Sequence, residues 1–462
     1  MMRKHLTSLL LPIVLGACTL GPDYQAPESE LPMAYGQPVL EGETMANMPW
    51  WDLFEDETLQ ALIRTALDEN KDLAIAASRI IEAQAILGIS RSEYFPSVDA
   101  GLSGTSGKGS SKVFPGNLDD SVQQNYRLGL SVGWEVDFFG RLRRSNEASR
   151  AQLLASEYAH QALTISLVAS VASKYMLLRD LDQRLEIARR TFTTRTDSLG
   201  IIQARFDKGI VPLLDVNQAE IELASASAAV AAAERAVAQT EHAVSILIGR
   251  NPAGITRGRT LAQQNLAPEI PAGLPSELLK RRPDIRASEQ QLAAQTALIG
   301  VAEAARWPSL RMTGALGVES GELSELSDSG ADFWNVGANL LAPVFNAGRN
   351  KNRVEAEKAR TEQALQAYNR AIQEALREVE DALVSVRTYR AENAARQRQV
   401  AAASSAARLS RARYDGGVTS YLEVLDIERS LFQSELAASE TRRQELTAII
   451  QLYKALGGGW TP

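Results

Sequence analysis

Few residues in this 462-residue chain have the chemistry to react, and their spacing argues against a reaction. Cys18 is the only cysteine, so neither an intrachain disulfide nor a cysteine-based metal cluster can be built from it. His160 and His242 stand apart, each inside a helical stretch, and do not converge on a metal or a nucleophile. The run "GTSGKGS" around Lys108 fails as a phosphate loop. Leu102 stands where its first glycine belongs, and Gly109 where Ser or Thr must follow the lysine. Arg281, Arg282 and Asp284 crowd together, but Pro283 and Asp284 are good first-turn residues, so the cluster marks a helix start. What remains is charge set beside bends: Arg205 and Asp207 before one bend, and Arg413, Tyr414 and Asp415 before another. Leu422 and Asp426 follow the second bend four residues apart, which places both on one helix face.

The two bends are copies. "RFDKGIVPLLDV" and "RYDGGVTSYLEV" pair at an offset of about 208 positions: Arg205 with Arg413, Gly209 with Gly417, Leu214 with Leu422. The same echo joins "KDLAIAASRIIEAQAILG" to "PDIRASEQQLAAQTALIG", and "DFFGR" to "FNAGR". The chain is therefore read as a tandem duplication, with repeats at 57–250 and 276–456 joined by a linker at 251–275. Residues 457–462 form a tail.

Each repeat orders its elements alike. A helix leads into a hairpin (97–138 and 309–343), then a long proline-free helix (141–206 and 349–414), a glycine bend, and a return helix (213–248 and 418–456). At 1.5 Å per residue each long helix would run about 100 Å, a length that needs supercoiled partners. One seam is Ala148, Ala151, Ala155, Tyr158, Ala162, Ile165, Ala169, Ala172 and Met176. The second repeat offers Leu365, Tyr368, Ile372, Leu376, Val379, Leu383 and Val386. A further stripe of Leu163, Leu167, Ser170, Lys174, Leu177 and Leu181 implies neighbours on a second side. Gly209 and Gly417 supply the left-handed turn that ends a helix, and Pro212 suits the first turn of the next.

The hairpins alternate strictly. In "YRLGLSVGWEVDFF" the leucines, valines and Trp134 share one face, while Arg127, Gly129, Ser131, Gly133 and Glu135 share the other. Such strands form either a soluble sheet over a core or part of a transmembrane barrel. The N-terminus favours the barrel. A cationic start, an apolar stretch from Leu6 to Val14 and "LGAC" make residues 1–17 a signal peptide, too short to remain as a spanning helix. Residues 18–56 then form an N-terminal segment, in which Trp50 and Trp51 are expected to pack against the trunk. Loops at Gly104–Asn125 and Glu319–Asp332 are expected on the outer side. Four strands cannot close in lipid, so several chains must share a barrel. The formal charge of −7 makes a nucleic-acid partner a poor fit.

The stretches "LGACTLGPDYQAPE", "WWDLFEDETLQALI", "LLKRRPDIRASE", "FGRLRRSNEASRAQ", "APVFNAGR", "YDGGVTSYLEVLD" and "LYKALGGGW" resemble the TolC-type outer membrane factors, in the NodT-like lipoprotein branch that serves RND efflux pumps. The resemblance implies a mainly α fold with a transmembrane β portion: a homotrimer with a 12-stranded β-barrel continuous with a 12-helix periplasmic barrel. It implies a lipid on Cys18 as the mature first residue, an outer membrane location, no other cofactor and no enzymatic activity. It further implies docking to a periplasmic adaptor at the Gly209 and Gly417 tips, an inner-membrane RND-type transporter, and a tunnel gate at Leu422 and Asp426. Three converging carboxylates would repel anions and resist ionising together. Arg205, Asp207, Arg413, Tyr414 and Asp415 would latch neighbouring coils, or serve only as caps. Export from another secretion system (type I) and a non-channel, periplasm-spanning lipoprotein are the alternatives.

Overall fold

The computed structural model describes residues 19–28, 31–36, 49–108, 122–265, 273 and 275–458. Its elements run α1 (Trp50–Leu53), α2 (Glu57–Glu69), α3 (Lys71–Ser92), β1 (Ser97–Gly107), β2 (Gln123–Val136), α4 (Arg141–Asp207) and α5 (Leu213–Leu247). The second half has α6 (Leu278–Arg281), α7 (Pro283–Ala304), β3 (Ser309–Ser320), β4 (Asp332–Leu341), α8 (Arg349–Asp415) and α9 (Tyr421–Ala455). The repeats are not compact bodies. Backbone contacts divide the chain crosswise into one unit drawn from 19–27, 80–155 and 288–368, and another from 31–79, 156–287 and 369–458.

The helix expected at the start of the first repeat is two helices. Asn70 ends α2 in an extended conformation (ψ 132°), and its side chain then accepts from the backbone N–H of Asp72 (2.9 Å) and Leu73 (3.1 Å) to cap α3. Its amide also donates to the carbonyl of Leu247 (2.8 Å), tying the break to the end of α5. α5 stops at Leu247, one residue short of expectation, and α9 spans Tyr421–Ala455 where 418–456 was expected, because Val418 to Ser420 complete the bend. The strands are longer than expected. Gly104–Gly107, Gln123–Asn125 and Glu319–Ser320, assigned above to loops, continue the ladder in register, as Gly104 opposite Tyr126 shows.

In the first unit the four strands form one antiparallel sheet in the order β1-β2-β3-β4, leaving β1 and β4 as edges. The register pairs like with like: Leu102 faces Leu128, Leu130 faces Leu316, and Leu316 faces Trp334. Every residue of that set is exposed, Trp334 at 77% and Leu102 at 70%. A sheet that leaves a whole apolar face uncovered is built for lipid or for another subunit, not for water. The same unit holds the first part of the N-terminal segment, up to Pro27. Leu20 donates to the carbonyl of Phe139 (3.2 Å), and the buried Arg144 guanidinium binds the carbonyls of Leu20 and Gly21 (3.1 Å each) and the Asp23 carboxylate (2.6 Å). Gly21 lies so close to Gly300 that a Cβ on it would sit 2.4 Å from the Gly300 Cα.

The second unit is coiled coil plus a strap. Of the stripe read on α4, Leu167 is buried, but Ser170 and Lys174 are exposed. The face that packs is Val168, Val171, Tyr175 and Leu178, one residue round the helix. It adjoins the seam at Ile165, Ala169, Ala172 and Met176, which is buried as expected, and Tyr175 anchors it, since its hydroxyl donates to Asp56 (3.1 Å). The same buried carboxylate accepts from Gln264 Nε2 (2.6 Å) and from the Arg259 N–H (2.9 Å). Trp50 is buried here, whereas Trp51 is about half exposed. Arg282 is a brace, not a reactive group: it is buried, with its fork on Asp284 and further bonds to Glu378 (2.8 Å) and the Ala455 carbonyl (3.0 Å).

Two consequences can be measured. Gly249 closes α5 at φ +76°, and a Cβ there would fall 2.1 Å from the Glu69 carbonyl oxygen. Gly249→Ala should therefore destabilise the trunk by about 2 kcal/mol or more, read as a lowered melting temperature. An unchanged melt would mean that the α2–α5 contact is not tight. The Arg257 guanidinium binds Asp182 (3.0 Å) and Glu241. Burial alone would push the Glu241 carboxyl up, but the Arg257 bond and the Ile255 N–H outweigh it and hold it below its ordinary 4.5. A depressed carboxylate stabilises the fold above its unfolded value, and that contribution is lost as pH falls through the folded one. Stability should thus drop below about pH 4.5, and Glu241→Gln should flatten that drop.

Candidate gate at the helical hairpin tips

Both bends close by the same hydrogen-bond pattern. Gly209 (φ +67°) donates to Phe206 (2.7 Å) while Ile210 reaches back to Arg205 (2.9 Å); Gly417 (φ +72°) donates to Tyr414 (3.0 Å) while Val418 reaches Arg413 (3.0 Å). This double bond satisfies the last carbonyls of α4 and α8 and needs a left-handed residue, which glycine supplies without strain. Pro212 serves as the residue before α5 and not inside its first turn, with extended ψ 159°.

Between the hairpins lies a small apolar core of Ile202, Val216, Ala219, Tyr414, Tyr421, Val424 and Leu425. Tyr414 is thus a core residue more than a latch. Its ring stands 5.6 Å from that of Tyr421, and the Arg205 guanidinium lies 4.8 Å over it. Burial, then the nearby Glu428 carboxylate, pushes the Tyr421 hydroxyl up to about 12, so it stays neutral. Arg205 also faces Asp415 at 3.9 Å, joining the two hairpins of one chain. Arg413 faces Glu423 (3.6 Å), and Asp207 accepts from Gln203 (2.9 Å) on its own helix. These are partly exposed contacts of small individual value.

The stronger connection lies further from the bends, in residues the sequence does not single out. Arg195 on α4 is buried between Glu428 on α9 and Glu222 on α5, the latter at 3.5 Å. Glu222 takes a second arginine, Arg429, at 2.5 Å. Arg411 on α8 closes the network, reaching Glu428 at 3.8 Å and donating to the buried Ser198 hydroxyl (3.0 Å). All four tip helices are joined through five charged side chains. No periodicity announces them, because their partners lie 17 to more than 200 positions away along the chain.

Leu422 and Asp426 stand outside this core. Both are exposed on α9, Leu422 at 55%, and they share a face beside the buried one of Tyr421, Val424 and Leu425. Arg429, three residues beyond Asp426, has its proton affinity raised first by the Glu222 hydrogen bond and further by the Asp426 charge. Leu213 and Leu214 are also exposed, at 55% and 62%, as are Ile210 and Val418 beside the glycines. Among the described residues, the tips therefore present exposed apolar side chains and the Asp426 carboxylate.

The model of the family described as "Outer membrane efflux protein" matches the chain twice, over 62–250 and 274–458. The chain belongs to that family. The outer membrane efflux proteins it resembles include OprJ of Pseudomonas aeruginosa, 34% identical over 466 residues, covering 99% of this chain and 97% of the relative. The toluene efflux pump outer membrane protein TtgI of Pseudomonas putida is 35% identical over 457 residues, covering 97% of each. Among solved structures, the outer membrane channel OprN superposes with a TM-score of 0.88 at 32% identity, covering 96% of this chain and 100% of that one. The open-state MtrE channel of Neisseria gonorrhoeae superposes with a TM-score of 0.85 at 33% identity, covering 96% of this chain and 98% of that one. The chain is an outer membrane channel protein of efflux, TolC-like in fold.

Proposed function

We propose that three copies of this chain form a passive exit duct, closed at its periplasmic tips by rings of Leu422 and Asp426. The observation that carries the proposal is the open four-stranded sheet, with two unpaired edges and one uncovered apolar face. In lipid such edges must be paired, and three copies would supply twelve strands and a lumen wide enough for solutes. The uncovered apolar residues at Ile210, Leu213, Leu214 and Val418 support docking of a periplasmic adaptor around the Gly209 and Gly417 bends. Through that adaptor an inner-membrane transporter would deliver cargo. Relatives named for toluene efflux, antibiotic efflux and cation efflux match over nearly the whole chain. One duct architecture thus accompanies unlike cargo, which supports selection upstream in the transporter.

Purified protein in planar bilayers should form a channel, nearly closed as isolated and open when Leu422 and Asp426 are both replaced. If no conductance is seen in either form, the duct is refuted and a structural role takes its place.

Cys18 lies outside the described residues. The adjoining segment, Thr19 to Asp23, is seated against Gly140, Arg144 and Gly300, which supports a lipid on Cys18 entering the membrane beside the strand ends. Cys18→Ala should abolish acylation, seen as loss of the lipid mass, and impair sorting while leaving the oligomer intact. Loss of the oligomer in that variant would contradict assembly through the strands.

A further inference from the structure

The polar face of the sheet is lined by small or hydrophilic side chains with one conspicuous interruption. On β2, β3 and β4 the residues of that face are Gly, Ser, Thr, Ala, Asn, Gln or charged, except Phe333 and the terminal Leu341. Phe333 stands in register with Gly317, which stands in register with Gly129. Its ring does not rise from the sheet. It lies back across β3 onto β2, so that a Cβ on Gly129 would meet the Phe333 Cζ at 3.2 Å. The glycines make this possible, since neither position has room for a side chain: a Cβ on Gly317 would sit 2.2 Å from the Leu128 carbonyl oxygen.

Arg127, two residues before Gly129 on the same face, cannot then fold onto the sheet. Its guanidinium rides on the phenyl ring, 4.0 Å from the centroid. The neighbouring Glu319, in register with Arg127, approaches it only to 3.8 Å, longer than a hydrogen bond. That carboxylate is instead held by the Asn125 amide at 2.7 Å. The aromatic ring thus acts as a platform that fixes the direction of a cation, while the carboxylate beside it is tied back to another side chain. The planar fork of an arginine so held is suited to carboxylate and other oxyanion groups.

We propose that Arg127, positioned by Phe333, is a specificity-determining residue of the strand-lined passage and favours anionic solutes there. The proposal rests on the reading that the polar face lines a lumen. In an assembly of several copies the residue recurs as a ring of cations, the arrangement by which pores select anions. Phe333 bears no charge, so its part is purely positional.

The test is the chloride-to-potassium permeability ratio, taken from reversal potentials under a KCl gradient, for full-length protein in planar bilayers. All forms carry Leu422→Ser and Asp426→Ala so that the tips are open and the gate carboxylate does not mask the effect. Arg127→Ala should lower the ratio by roughly twofold to fivefold, and Glu319→Gln should raise it. Phe333→Ala should lower it in the same direction as Arg127→Ala although no charge is removed, and Phe333→Tyr, which keeps the platform, should restore it. A ratio unmoved by Phe333→Ala, in protein that still runs as the same oligomer as the parent, overturns the positioning. A ratio unmoved by Arg127→Ala overturns the whole inference. Absence of current in every form overturns the conduit itself, and this inference falls with it.

Discussion

Arg195→Ala should uncouple the two hairpins of each tip while leaving the rest of the molecule folded. The arginine is buried between Glu428 and Glu222, and removing one partner of a buried ion pair strands the charge left behind. Such losses cost about 3 kcal/mol. Here Glu222 keeps Arg429 and Glu428 keeps Arg411 at 3.8 Å, so the cost falls on Glu428 more than on Glu222. The effect should be local. Amide hydrogen exchange near residues 195–215 and 410–430 should quicken by about a hundredfold, with exchange in the sheet unchanged. The double variant Arg195→Met with Glu428→Gln should exchange more slowly than Arg195→Ala, because it leaves no unpaired carboxylate. Equal exchange in Arg195→Ala and the parent would show that the apolar core around Tyr414 and Tyr421 holds the tip without the charges.

The second large effect concerns Leu422 and Asp426. They share a face of α9 that is exposed among the described residues. If three such faces converge, the leucines close the passage sterically and the carboxylates add a field that opposes anions. Replacing both as Leu422→Ser and Asp426→Ala should raise the resting conductance by about tenfold or more. Asp426→Ala alone should change ion preference more than conductance, since the apolar ring would remain. The reverse pattern, in which Asp426→Ala alone opens the pore fully, would assign closure to charge pairing at the tips.

Why some of this could be read in the sequence follows from range. The glycine bends, long helices and alternating strands are set by residues within one or two turns or pleats of each other, and these appear where periodicity places them. The Asn70 break is not legible because a helix end within an apolar, helix-favouring run depends on one side chain capping forward while donating to Leu247 far along the chain. Spacing alone places Ser170 and Lys174 on a seam, yet the Tyr175 hydroxyl bond to Asp56 holds a neighbouring face inward. The Arg195 network and the Arg144 clasp on Leu20, Gly21 and Asp23 join distant segments, which no local pattern records. At the candidate gate, the shared face of Leu422 and Asp426 follows from their spacing; its exposure is seen only in the structure. The burial of Tyr414 does not.

Pooling of the open sheet by identical chains into one closed cylinder fixes the size of the particle. The most direct test of that pooling is the mass of the detergent-solubilised, full-length protein, with lipid and detergent subtracted. A particle of three chains, where the full sequence has a mass of 50.2 kDa, is the predicted result. A stable single chain that retains its four strands with both edges unpaired would contradict it.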